Sequence, residues 1–241
     1  MKVIFISAGA VLLLFILLTI TRLWGLGQHY PEFQHPFFSV AEKPLVILKA
    51  KNLNDIEAAL KTEPSLALWL DIETTIDAKL LFANTELKDV IAKYPKQRFV
   101  LNILGNVENV HNSLVKSLKD FSKEKLFLIQ SNYNVVMSSV KNLEPFWLYG
   151  CSQADLMRFL TYDSMWILPA APFKGDVFIA PLKILGRSAF NEEILKEVHR
   201  RNKKVILGPI SNKSEYDDAS RLKADGQLIE NLSDFLAWTR P

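Results

Sequence analysis

The sequence predicts an α/β chain folded as a (β/α)8 TIM barrel behind an N-terminal transmembrane helix. Three observations carry that expectation. From Pro44 onward, short apolar runs alternate with amphipathic stretches, the pattern of βα units around a parallel sheet. The alternation repeats eight times, the number that closes a barrel. An open doubly wound sheet is the competing arrangement, but the glycine-rich phosphate loop that often follows its first strand is missing, because Lys49-Ala50-Lys51-Asn52 stands there. The third observation is Val3–Ile20, an uncharged apolar run about as long as a bilayer core is thick. The chain therefore divides into an anchor over residues 1–24, a linker over 25–43 and a barrel over 44–241.

Lys2 precedes the apolar run and Arg22 follows it, with Trp24 and Tyr30 suited to the interfacial belt beyond. A cleaved signal peptide is the alternative. The run is longer than a usual h-region, and bulky residues occupy Ile20–Trp24, where a small-x-small cleavage site would be needed. An uncleaved single-pass anchor is the better reading. Lys2 and the free amine favour the N-terminus inside, which in a bacterium would put the barrel outside the cytoplasmic membrane. Residues 25–43 hold Gly, Pro, His and Phe without periodicity. They are expected to link the two parts and to pack on the barrel around Phe33, through Phe37 and Phe38. His29 and His35 in such a connector read as incidental.

Within the barrel, Leu45–Leu48 is the first strand. Asn54–Leu60 has Ile56 and Leu60 at helical spacing. Leu66–Ile72 is the second strand, in a stretch Leu66–Glu73 whose end carries the carboxylates Asp71 and Glu73. Thr85–Ala92 reads as a helix with Leu87, Val90 and Ile91 inward. Phe99–Leu104 is the third strand and Val107–Leu118 its helix. Leu126–Ile129 is the fourth, followed by a helix over Tyr133–Val140 opened by Asn132 or Asn134. Phe146–Tyr149 is the fifth, followed by Gln153–Leu160 with Ser152 as N-cap. Met165–Phe173 is an apolar, proline-broken run, read as a buried connection or short extra strand or, alternatively, as an exposed loop dipping toward lipid. Val177–Ala180 is the sixth strand. Asn191–Arg200 is a helix ending in His199, Arg200 and Arg201, which we expect to be a solvated, dipole-favoured helix end rather than a polyanion patch. Val205–Leu207, the helix Glu215–Leu222, Gln227–Ile229 and Leu232–Trp238 complete the count.

Composition removes several function classes. Formal net charge is +3, and Lys2 and Arg22 are the only charges in the first 25 residues, so the rest is nearly neutral. That argues against nucleic acid as a partner. The single cysteine, Cys151, excludes an intrachain disulfide and a cysteine-built zinc site.

Several short stretches resemble the glycerophosphodiester phosphodiesterase family. Glu197-Val198-His199-Arg200-Arg201-Asn202-Lys203-Lys204-Val205 is similar to its late helix and seventh strand. Ala224-Asp225-Gly226-Gln227-Leu228-Ile229-Glu230-Asn231 is similar to its closing strand, Leu70-Asp71-Ile72 to its second strand and Leu101-Asn102-Ile103 to its third. The resemblance implies a barrel of the phosphodiesterase type and lipid metabolism. For an active member it also implies a phosphoric diester hydrolase that uses a divalent cation and two histidines as acid and base.

This sequence departs from that pattern at the positions that matter. The family's first histidine motif falls on Lys49-Ala50-Lys51. Its metal-binding glutamate falls on Trp69, its second His-Asp on Ala83-Asn84, and its third-strand Glu and Lys on Leu104 and Asn106. Asp71 alone remains of the expected metal ligands. With no confident catalytic residue, the expectation is a pseudoenzyme that needs no cofactor, in which Asp71 pairs with Lys49 across the rim. Partners would be the membrane and a phospho- or lipid head group or a protein. The polar side chains expected at the strand C-terminal ends are Lys49, Lys51, Asp71, Glu73, Asn102, Asn106, Gln130, Asn132, Tyr149, Lys183 and Glu230. The alternative is an active phosphodiesterase with a rearranged site, in which Asp71 and Glu73 hold Mg or Ca with help from Asn102 or Glu230.

Overall fold

The computed structural model describes residues 2–32, 35–38, 44–119, 121, 126–184 and 186–239. Phe33 lies outside the described residues. Eight parallel strands form the barrel: β1 (Leu45–Ala50), β2 (Ala67–Thr74), β3 (Arg98–Ile103), β4 (Phe127–Ser131), β5 (Leu148–Tyr149), β6 (Val177–Ala180), β7 (Lys204–Ile210) and β8 (Gly226–Ile229). They pair in the order β5-β4-β3-β2-β1-β8-β7-β6. A parallel bridge between Gly150 and Val177 joins the two ends, with the Asp176 N–H donating to the Tyr149 carbonyl and the Cys151 N–H to the Val177 carbonyl, both at 2.7 Å. The predicted α/β barrel is the fold observed.

Nine helices accompany the strands among the described residues: α1 (Lys2–Leu26), α2 (Leu53–Thr62), α3 (Leu87–Lys93), α4 (Val110–Lys119), α5 (Asn134–Leu143), α6 (Gln153–Ser164), α7 (Glu192–Arg200), α8 (Lys213–Leu222) and α9 (Leu232–Thr239). Ser152 caps α6 in a reciprocal capping box with Asp155. Neither expected asparagine caps α5, whose N-cap is Tyr133. The stretch read as a helix from Thr85 begins instead as a strand, Thr85–Glu86. That strand pairs with Leu80–Phe82, which lies antiparallel to the end of β2. Ala83 (φ 47°) and Asn84 (φ 65°) make the two-residue turn between them.

Strand alternation sorts the core into two parts. Ile47, Trp69, Val100, Leu128, Leu148, Val177, Ile206 and Leu228 fill the lumen, while the larger cluster lies between the strands and the helices. Phe37 belongs to the lumen cluster and has no exposed surface, so the linker stoppers the end where the strands begin. There Arg98 donates to the Phe37 carbonyl at 3.2 Å and to the Ser65 carbonyl.

The end of α1 is built into that same face. Gly25 is buried, and a Cβ there would stand 2.3 Å from the Pro169 carbonyl carbon and oxygen, so only glycine permits the approach. Arg200 donates to the carbonyls of Gly25, Leu26 and Gln28 at 3.1–3.4 Å, satisfying groups a helix C-terminus otherwise leaves open. Asn202 donates to the Tyr30 and Pro31 carbonyls.

These contacts correct the expectation of a solvated end for α7. Arg201 is only 3 % exposed; it pairs with Glu197 at 2.6 Å and donates to the Leu168 and Ala171 carbonyls. His199 and Lys204 hold Asp225 at 2.9 and 2.8 Å. Burial tends to raise the Asp225 pKa, but donors from His199, Lys204 and the Val205 N–H together keep it below the usual carboxylate value.

Candidate functional site

The C-terminal ends of the strands bring Lys49 on β1, Asp71 on β2, Asn102 on β3 and Gln130 on β4 to one side of the barrel mouth. Register sets Asp71 opposite Asn102 and Asn102 opposite Gln130. The Lys49 ammonium lies 3.0 Å from Asp71 Oδ2. Asp71 Oδ1 accepts from the Trp69 indole N–H and from the Asn102 amide, both at 2.7 Å. Trp69 reaches the carboxylate because residues two apart share a strand face. Burial pushes the Asp71 carboxyl up, but the donors Asn102, Trp69 and Lys49 outweigh it and hold the pKa below the ordinary value.

The rest of the mouth is mostly filled or dispersed. Gln130 is 6 % exposed, and its Oε1 occupies the space a Cβ on Gly150 would need, at 1.7 Å. Its Nε2 stands 3.5 Å from the Cys151 carbonyl, while Oε1 has no hydrogen-bond partner. Tyr149, expected at the rim, instead packs between strand and helices, where its hydroxyl donates to the Glu144 carbonyl at 2.6 Å. Glu73 is exposed in the hairpin extension, paired in register with Leu81. Asn106 and Asn132 are exposed on loops after β3 and β4, and Leu104 is 44 % exposed. Ala83 is at the exposed hairpin turn, and Lys183 is exposed on a two-residue strand after β6.

Beside the mouth, between α2 and α9, a groove of about 430 Å³ is lined by Lys49, Lys51, Asp55, Glu230, Asn231 and Ser233. It brings together Lys49, Lys51 and Glu230 from the expected set. The α2 N-terminus beneath it is already capped: Asn52 accepts from the Asp55 N–H at 3.0 Å, and Asp55 accepts from the Lys51 N–H at 2.9 Å. Lys51 and Lys183 make no ion pair among the described residues. The sequence reading missed this groove, because nothing in residues 45–62 signals that α2 and α9 stand apart at this level.

The donor set does not suit a divalent cation. Asp71 already faces an ammonium and two N–H donors, which would have to leave before a hard cation could take oxygen ligands there. Among the described residues, no three His, Cys, Asp or Glu side chains gather closely enough to hold a metal. The histidines stand elsewhere: His29 and His35 in the linker, His111 on α4 and His199 on α7. The mouth thus holds no imidazole to serve as acid or base.

No family model matches the sequence. No curated protein matches it either. Solved structures do. The glycerophosphoryl diester phosphodiesterase domain of an uncharacterized Mycobacterium tuberculosis protein superposes with a TM-score of 0.65 at 10 % identity, covering 83 % of this chain and 100 % of that one. The chain has the glycerophosphodiester phosphodiesterase barrel fold. An Oleispira antarctica phosphodiesterase, solved with the product sn-glycerol-3-phosphate, matches with a TM-score of 0.59 at 14 % identity over 81 % and 96 % of the two chains. The Thermotoga maritima glycerophosphodiester phosphodiesterase matches at 0.56 and 12 %, over 82 % and 99 %. At such identities the likeness speaks for the fold.

Proposed function

We propose that this protein is a membrane-anchored barrel of the glycerophosphodiester phosphodiesterase fold that binds a phosphate-bearing lipid head group without cleaving it. The observation that carries the reading is the Lys49–Asp71 pair, with Trp69 and Asn102 completing the shell of Asp71. A phosphodiesterase must neutralise the phosphate and deliver a proton to the leaving alkoxide. Here the one retained acidic position is neutralised from within. Lys49 and Lys51 line the neighbouring groove, where ammonium groups can receive a phosphate. The neighbour bound to sn-glycerol-3-phosphate suggests the ligand class.

The anchor is α1, whose segment Gly9–Leu26 is long and apolar enough to cross a bilayer. Its last turn is tied to the barrel through Gly25 and Arg200, contacts that a leader removed on export would forfeit. We place the N-terminus inside and the barrel on the extracytoplasmic side.

The test is calorimetric titration of the full chain in detergent with sn-glycerol 3-phosphate, alongside a hydrolysis assay on glycerophosphodiesters with Mg or Ca added. Binding weakened by Lys51→Ala, without turnover, supports the reading. Metal-dependent turnover abolished by Asp71→Ala would replace it with an active phosphodiesterase. A protein partner at the rim is the second reading. It is favoured by the exposed apolar residues Ile76 (95 %), Leu104 (44 %) and Val135 (56 %), which follow β2, β3 and β4. Cross-linking in native membranes that is lost in Leu104→Asp would support it.

A further inference from the structure

We propose that the Met165–Trp166 corner is a second point of membrane insertion, placed beside α1 so that the strand N-terminal end of the barrel rests on the bilayer and the Asp71 rim faces away from it, toward head groups in water-soluble form. The inference rests on reading α1 as a membrane span.

The argument is one of depth. At about 1.5 Å per residue, Lys2 to Arg22 measures about 30 Å, the thickness of the hydrocarbon core. If Arg22 marks the water-facing boundary, Phe15 lies seven residues, about 10 Å, inside it. Trp166 touches α1 at both levels. Its ring is stacked on Phe15 with centroids 6.1 Å apart, and the Arg22 guanidinium sits 4.6 Å over it while donating to the Trp166 carbonyl at 2.8 Å. A helix placed across the bilayer therefore carries Trp166 to the interface or below it.

The corner is built for that position. Trp166 is 50 % exposed and Met165 46 %, whereas Ile167, Leu168 and Ala171 behind them are buried. The α6 C-terminus closes with the Trp166 N–H on the Asp163 carbonyl and the Ile167 N–H on the Tyr162 carbonyl. This is a closure in which the left-handed residue is usually glycine. Here that residue is Trp166, at φ 63°. An indole presented outward from an unfavourable backbone conformation suits an interfacial anchor. Charge agrees: Lys96, Lys174 and Lys223, on loops entering β3, β6 and β8, are exposed and carry no ion pair among the described residues. They can meet anionic head groups. The buried connection expected at Met165–Phe173 is found at Ile167, Leu168, Pro169 and Ala171, while Met165, Trp166 and Pro172 are exposed.

The test reconstitutes the full chain in nanodiscs of phosphatidylcholine and phosphatidylglycerol. Nitroxide labels are placed at Met165→Cys, at Leu13→Cys within α1 and at Ile76→Cys on the rim. Cys151 is buried and its thiol pKa is pushed up by burial, so the unsubstituted chain serves as a blank. The expected result is a label at 165 collided with more by oxygen than by a nickel chelate, several-fold relative to the label at 76. A label at 13 in lipid with one at 165 as water-accessible as that at 76 overturns the seating alone. A label at 13 in water overturns the anchor and the seating together.

Discussion

The pair at the barrel mouth can be weighed by a double-mutant cycle on Lys49→Met and Asp71→Asn. Two unit charges at about 4 Å attract by about 4 kcal/mol at the effective dielectric near a protein surface. Lys49 and Asp71 side chains are 34 % and 29 % exposed, so solvent screening and desolvation take back most of that. They are less exposed than a fully solvated pair, whose coupling is about 0.2–1 kcal/mol. A coupling of about 1–2 kcal/mol is expected between those bounds. Lys49→Met alone should cost a similar amount, since Trp69 and Asn102 still serve Asp71. For a domain of this size that is a fall in Tm of about 2–8 °C.

The pH dependence gives an independent check. The Asp71 pKa is lowered in the folded state, burial being outweighed by Asn102, Trp69 and Lys49. The unfolded value is about 3.9. A carboxylate with a depressed folded pKa contributes fully above its unfolded value and loses that contribution as pH falls through the folded one. The gap between wild type and Lys49→Met should therefore be full at pH 7 and narrow as pH drops below about 4. Thermal unfolding of the full chain in detergent, followed by near-ultraviolet circular dichroism, measures both. A coupling under about 0.3 kcal/mol, or a gap indifferent to acid, would refute the claim that Lys49 acts as the counterion of Asp71.

Three further perturbations probe the rest of the frame. Phe37→Ala removes the stopper of the lumen and should cost about 3–5 kcal/mol, read as a loss of Tm. Glu197→Gln leaves the 3 %-exposed Arg201 without its carboxylate; a cost of about 3–5 kcal/mol is expected, with faster amide exchange at Ala171, whose carbonyl Arg201 holds and whose N–H shares the Leu168 carbonyl with it. Gly25→Val forces a side chain onto the Pro169 carbonyl, so proteolysis between residues 26 and 32 should accelerate while Tm falls by less than in Phe37→Ala.

What the sequence made legible follows the range of the interactions. Strand alternation is a local pattern, so the eight strands and the shared face of Trp69 and Asp71 could be read from spacing, while the approach of Lys49 to Asp71 followed from what the family resemblance implies for those two positions. The strand Thr85–Glu86 reads as helix in the sequence because Leu87, Val90 and Ile91 carry a helical period that begins only after that strand ends. Arg200 and Arg201 were misread for a different reason. Their partners, the carbonyls of Gly25, Leu26, Leu168 and Ala171, are remote in the chain, and backbone acceptors leave no mark on composition. Gln130 looked like a free rim amide because its burial depends on Gly150, the residue that vacates the space.

The distribution of cations links the two ends of the molecule. Arg98, Arg200, Arg201, Lys203 and Lys204 surround the entry to the strands, and each is tied to a carboxylate or to backbone carbonyls. They shape the protein rather than advertise a charge. Among the described residues, the exposed lysines without an ion pair include Lys96, Lys174 and Lys223 at the bottom and Lys51 and Lys183 at the top. If the bottom set meets the bilayer, the top set stays free to meet a soluble anion at the barrel mouth, and the two roles separate by experiment. Lys51→Glu should weaken sn-glycerol 3-phosphate binding and leave a nitroxide at residue 165 where it was. Lys174→Glu should weaken the lipid contact of that label without touching the ligand. A single substitution that moved both readouts would mean that the ends are not independent, and that the ligand is taken from the anchoring bilayer itself.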